Sequence, residues 1–301
     1  MHGQTTSPYQ GLGKKCSYFE GWYFKHQWGE ETLALIPGFS APKTGARGAF
    51  LQVIGRDGSW FIPYPMEAFG QRTDPPAVRV GDSLFTPEGA RLHVEAPGLS
   101  LHGTIRYGFL TPPRGDIMGP FRFAPGMECR HRVLSLGHSL SGRLRLNGRT
   151  CRLDGGTGYI EGDRGRSFPE RYTWTQCNTF ASRTAGVMLS AATIPYLGLR
   201  FTGCLASVWD QGREIRLATY TGARVPVWEP GRVVLERGGT RLEAALLEAS
   251  AHPLMAPDTG RMARTIHEHA RCTVRYRFFR DGHLRFDLTS PTASFEEAGV
   301  G

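Results

Sequence analysis

Ser141-Gly142-Arg143-Leu144-Arg145-Leu146-Asn147-Gly148-Arg149-Thr150-Cys151-Arg152-Leu153 is the stretch that decides the fold class. Leu144 and Leu146 alternate with Arg143 and Arg145, and Cys151 and Leu153 alternate with Thr150 and Arg152. A period of two puts one set on a buried face and the other in solvent, which is the pattern of a half-buried strand. Between the two runs stands Asn147-Gly148, the strongest short hairpin signal, because both positions tolerate a positive φ. The same plan recurs three times. Leu205–Trp209 and Glu214–Tyr220 flank Gln211-Gly212, Arg232–Glu236 runs into Gly238-Gly239, and Asp281-Gly282 joins Cys272–Arg280 to His283–Leu288. In Leu99–Tyr107 the residues Leu99, Leu101, Ile105 and Tyr107 alternate, with Gly103 on their face marking a bulge or bend. A 3.6-residue period is nearly absent, and its best candidate, Glu243–Ala249, fits a strand equally well. The chain is all-β.

Composition agrees. Gly 39 and Pro 20 in 301 residues suit many short strands joined by turns. A hydrophobic share of 40% is too high for a disordered chain. Lysine stands only at 14, 15, 25 and 43, so 32 of the 36 basic residues are arginine. Many of these fall at alternate strand positions, which makes the net charge of +9 a solvated sheet face. Such a surface also suits peripheral contact with anionic lipid. No arginine tract interleaved with aromatics points to nucleic acid. The cysteines at 16, 129, 151, 177, 204 and 272 form no CxxC or zinc spacing. With no signal-like segment and no apolar run near 20 residues, the expectation is a cytoplasmic protein with reduced thiols.

The strand runs fall into two groups. Pro112-Pro113 through Pro125-Gly126 reads as a crossover, which gives halves 1–120 and 121–301. Two segments are dense in polar and aromatic residues: Tyr18–Lys25 (YFEGWYFK) and Gly155–Asn178. In an extended chain Tyr159, Glu161 and Asp163 share one face, and so do Trp174, Gln176 and Asn178. Lining a cavity, these faces bring together two carboxyls, an amide pair and aromatic walls. A carboxyl desolvated by aromatic surroundings can deliver a proton near neutral pH. On spacing alone, Gly-rich turns with acids and buried Trp are more often structural.

Other motifs fail on context. Gly137-His138-Ser139-Leu140-Ser141 lacks the last Gly of a nucleophile elbow. Gly156-Thr157-Gly158 has no third Gly and no following helix. His267-Glu268-His269 offers two metal ligands without a third and reads as an exposed polar strand. No metal and no cofactor are expected.

Four ordered motifs resemble the tocopherol cyclase family: YFEGWYFK at 18–25, GMECRH at 126–131, GGTGYIEGDRG at 155–165 and SFPERYTWTQCN at 167–178. The likeness continues through Ile194–Phe201 and Ala218–Tyr220. The Tyr159–Gly165 string is more distantly similar to lipocalin-like carotenoid hydratases. The resemblance implies two tandem lipocalin-like β-barrels with a hydrophobic pocket in one of them. It implies a prenylated small-molecule substrate, cyclised or hydrated after protonation of a double bond. Glu161 is then the proton donor and Asp163 the second choice, with Tyr159 and His131 orienting or relaying the proton. Trp174 and Trp22 are pocket walls, Gln176 and Asn178 hold the polar head group, and Glu20 is a further binding residue. Arg164 stands where such families often carry Trp, and Gly162 where Lys is common; a cation at 164 near the pocket would lower the carboxyl pKa values. The alternative from another class is a non-catalytic carrier of isoprenoid or quinone-like lipid. A carboxyl inside the cavity distinguishes the two.

Overall fold

A computed structural model describes residues 11, 13–181 and 184–300. They form two large antiparallel sheets, of twelve and ten strands. The first starts with β1 (Tyr18–Trp28), β2 (Glu31–Ala41), β3 (Gly48–Gly55) and β4 (Gly58–Pro65). After a 3-10 turn at Met66–Ala68, the chain returns through β5 (Phe69–Thr73), β6 (Pro76–Val80), β7 (Ser83–Thr86), β8 (Gly89–Ala96) and β9 (Leu99–Tyr107). β10 (Cys129–Leu146), β11 (Arg149–Arg152) and β12 (Gly156–Gly165) complete it, and β12 pairs with both β1 and β10.

The second sheet repeats this plan. β13 (Tyr172–Cys177), β14 (Ala185–Tyr196), β15 (Leu199–Asp210) and β16 (Arg213–Ala218) lead out to a 3-10 turn at Thr219–Thr221. β17 (Arg224–Glu229), β18 (Arg232–Arg237), β19 (Thr240–Glu248), β20 (His252–Asp258), β21 (Arg261–Arg280) and β22 (His283–Ala298) return. The last strand, β22, pairs with the first, β13. In each sheet the two edge strands are consecutive in sequence, so the sheet curls until its edges approach. Among the described residues no ladder joins β4 to β5 or β16 to β17. The closed barrels expected from the sequence are therefore two open, curled sheets.

The hairpin turns are where the sequence puts them. Asn147-Gly148, Gln211-Gly212 and Asp281-Gly282 all have positive φ. Glu243–Ala249 is strand through Glu248. The 112–126 segment joins β9 to β10 within the first sheet, and the chain passes to the second sheet between Gly165 and Tyr172.

Each curled sheet is filled by its own side chains. The first encloses Phe24, Leu35, Phe39, Leu51 and Leu101, the second Leu189, Val233, Leu242, Tyr276 and Phe278. A third apolar cluster, with Tyr23, Ala34, Ile54, Met188, Trp174 and Ile266, lies where the outer faces of the two sheets meet.

Gly103 does not mark a bulge, since its register with Leu92 and Leu144 is unbroken. Its φ is 136°, and a Cβ there would lie 2.2 Å from the Arg143 carbonyl oxygen on β10. Backbone leaves no room for a side chain, and L-residues avoid that conformation. Gly103→Ala should therefore cost about 2–4 kcal/mol, read as a lower denaturation midpoint at unchanged slope. A loss below about 0.5 kcal/mol would refute the close approach.

Candidate functional site

β12 alternates as the sequence suggests. Tyr159, Glu161 and Asp163 point away from the core of the first sheet, toward the second sheet. The neighbouring strand brings His131 directly opposite Asp163. His131 Nδ1 lies 3.1 Å from Asp163 Oδ1, and the Cys129 thiol reaches the same oxygen at 3.6 Å. Glu161 is only 5% exposed. Its Oε2 accepts hydrogen bonds from the Tyr159 hydroxyl at 2.5 Å and from the Trp174 indole at 3.1 Å. His131 Nε2 stands 3.3 Å from that oxygen without hydrogen-bond alignment, so this contact is one of charge. Burial pushes the His131 imidazole down, but the carboxylates of Asp163 and Glu161 together outweigh it and hold its pKa well above 6.5. His131 thus lies between two carboxyl groups that favour its charged form.

These groups form the polar end of a cavity of about 170 Å³ between the sheets. Most of the rest of its wall is apolar, including Phe19, Phe50, Met118, Phe168, Trp174 and Phe201. Tyr23 packs its ring edge-on against Trp174, with centroids 5.5 Å apart. The cavity lies outside both curled sheets, whose interiors are filled, and not inside a barrel as expected.

Glu161, Asp163, His131 and Trp174 thus meet at one place, with Tyr159 directly behind Glu161. The other four candidates lie elsewhere. Gln176 is buried and accepts from the Lys25 amine at 3.2 Å. Asn178 donates to the carbonyls of Leu136 and Gly158, tying the end of β13 to the first sheet. These contacts serve sheet docking, and neither residue lines the cavity. Trp22 and Glu20 point to the opposite face of β1. Glu20 accepts from the Tyr18 hydroxyl at 2.9 Å, and the Arg132 guanidinium lies 5.7 Å from the Trp22 ring. These two line a second cleft that holds Arg164 and shares His131 and Asp163 with the cavity. Alternation places Arg164 on that far face rather than in the cavity with Glu161.

Two carboxyls escaped the sequence reading. Glu296, on β22, lines the cavity and accepts a hydrogen bond from the Tyr172 hydroxyl. Glu268, on β21, is fully buried, and the expected exposed strand at 267–269 exposes only His267. His269 is buried, its Nδ1 accepting from the Ser250 amide. Period-two alternation within Arg261–Arg280 was the one available signal for Glu268.

Donor atoms of His131, Glu161 and Asp163 lie within 4.8 Å of one another, close enough for one divalent ion. The chemistry of the set speaks against it. Glu161 Oε2 already takes two N–H and O–H donors, and a metal would have to compete with the His131–Asp163 contact. Elsewhere no thiol pairs with another; all six cysteines are free.

Two solved structures share this fold. A protein of Nitrosomonas europaea assigned as AttH superposes with a TM-score of 0.54 at 17% identity, covering 94% of this chain and 92% of its own. Kievitone hydratase from Nectria haematococca superposes with a TM-score of 0.53 at 11% identity, covering 98% and 94%. No protein-family profile and no curated protein matches the chain. Among the described residues no helix is long and apolar enough to cross a membrane.

Proposed function

We propose that this protein is a hydratase or cyclase that adds an O–H, from water or from the substrate itself, across a carbon–carbon double bond of a hydrophobic molecule. The observation that carries this reading is the His131–Glu161–Asp163 cluster in the wall of a largely apolar cavity. Burying two carboxyls and an imidazole together costs desolvation, and clusters of this kind inside a cavity are where catalytic groups concentrate. One structural neighbour is named a hydratase, which agrees with this reading.

The size of the cavity narrows the substrate. Roughly 150 Å³ holds a benzene-sized group. About 170 Å³ therefore holds one aromatic ring or one isoprene unit beside the carboxyls. A dimethylallyl-substituted phenol fits that description, with the remainder of the molecule toward the mouth.

In this site Glu161 is better built to take a proton than to give one. Both hydrogen bonds to Oε2 come from donors, so Tyr159 and Trp174 hold the carboxylate in place. Glu161 accepts the proton of the attacking hydroxyl, and His131 with Asp163 stabilises and orients it. The sequence reading gave Glu161 the opposite role of donor.

The test is incubation with prenylated phenols and polyenes in ¹⁸O-labelled water, followed by mass spectrometry. Hydration adds one labelled water. Cyclisation keeps the mass while removing the double bond and the free phenol. Binding of these compounds without either change would establish the carrier reading instead.

A further inference from the structure

Addition across a double bond needs an acid as well as a base, and it is the second sheet that supplies one. Along its outer face, register aligns Trp174 on β13 with Glu296 on β22, Glu296 with Glu268 on β21, and Glu268 with His252 on β20. Opposite residues of an antiparallel pair sit on one face with Cβ atoms about 5 Å apart. Two buried carboxyls thus stand side by side. Neither Glu268 oxygen has a hydrogen-bond partner among the described residues. Like charges so placed in an apolar wall do not both ionise, and one proton remains with the pair.

The position of Glu296 mirrors that of Glu161. Each lies on the last strand of its sheet, across from an aromatic residue of the first strand: Tyr23 faces Glu161 and Trp174 faces Glu296. Each accepts a tyrosine hydroxyl, from Tyr159 or Tyr172. The two carboxyls reach the same cavity from facing sheets.

Resting on the proposed addition reaction, we propose that Glu296 is the acid that protonates the double bond, and that Glu268 is a positioning residue that keeps the proton on it. The Glu296 O–H breaks as a C–H bond forms, leaving a carboxylate and a tertiary cation. The oxygen of water, or of the substrate's own hydroxyl, bonds to the cation and its proton passes to Glu161. Proton exchange from Glu161 to Glu296 through solvent, as product leaves, restores the starting state. Glu296 faces Glu268, Tyr172, Asp163 and Glu161; burial, and then the charge of Glu268, hold its pKa well above 4.5. Glu268 in turn faces Tyr23, Lys25 and Glu161, with Glu296 and His252 across from it on the neighbouring strands.

The experiment takes a dimethylallyl phenol turned over by the wild-type protein and measures kcat/KM against pH. Glu296→Gln should lose about 10²–10⁴-fold and its residual activity should lack the alkaline limb; Glu296→Asp should recover part of the rate. Glu268→Gln should move the alkaline limb lower by on the order of one pH unit as the neighbouring charge disappears. Carbon-13 titration of glutamate carboxyls in the wild-type protein, with Glu296 assigned by its loss in Glu296→Gln, should show it protonated at neutral pH. Wild-type turnover in Glu296→Gln, or an ordinary carboxylate titration at Glu296, overturns the assignment while leaving the addition reaction standing. A wild-type protein that converts none of these compounds would instead remove the reaction, and the acid with it.

Discussion

Glu161→Gln should lower turnover by about 10²–10⁴-fold while ligand affinity stays nearly constant. The glutamine carbonyl keeps the shape of the side chain and can still accept from Tyr159 and Trp174. What disappears is the ability to take up a proton, along with the charge that faces His131. The loss should therefore fall on kcat rather than on binding. Measuring both with one prenylated phenol decides the point. A Glu161→Gln protein with wild-type kcat would move the base to Asp163, the other carboxylate on His131.

The second large effect is on stability. Burial pushes the Glu268 carboxyl from 4.5 up to about 7, with Tyr23 and Lys25 opposing and the charge of Glu161 adding to it. A carboxyl whose folded pKa is raised contributes its full stability below the unfolded value. That contribution is lost as pH rises through the folded value, so here the window runs from about 4.5 to about 7. The displacement corresponds to about 3 kcal/mol at about 1.4 kcal/mol per pH unit. Glu268→Gln removes the titrating group. Its stability relative to wild type should therefore be about 3 kcal/mol more favourable at pH 8 than near pH 4. Comparing the two pH values cancels whatever the buried amide itself gains or loses. Denaturant unfolding at both settles it, and a pH-independent difference would mean that Glu268 is not held protonated by its surroundings.

Local chemistry made part of this structure readable in advance. Asn147-Gly148, Gln211-Gly212 and Asp281-Gly282 specify their turns by tolerating positive φ, and alternation fixes which side chains share a face. That is why Tyr159, Glu161 and Asp163 were found together, whereas His131 joined them only through the resemblance of its motif at 126–131 to the tocopherol cyclase family. Long-range geometry was not readable. Whether a curled sheet closes depends on edge strands that a turn joins but no ladder pairs, as with β4 and β5. Gln176 and Asn178 share the face of Trp174, yet they dock on Lys25 and on the Gly158 carbonyl and lie outside the cavity. These partners lie on the other sheet and leave no trace in the local sequence. Glu268 and Glu296 are nearly thirty residues apart in ordinary alternating strands. They become a pair only through the register of β21 on β22.

The shared strand plan of the two sheets has a bearing on ancestry. In a two-fold homodimer both subunits present the same patch, so a residue near the axis meets its own copy. One such sheet docked on a duplicate of itself would set a last-strand carboxyl opposite an identical carboxyl, and neither could be specialised without altering both. Fusing the copies into one gene removes that constraint. One carboxyl is then free to gather an imidazolium, as Glu161 has with His131, and the other to gather a second acid, as Glu296 has with Glu268.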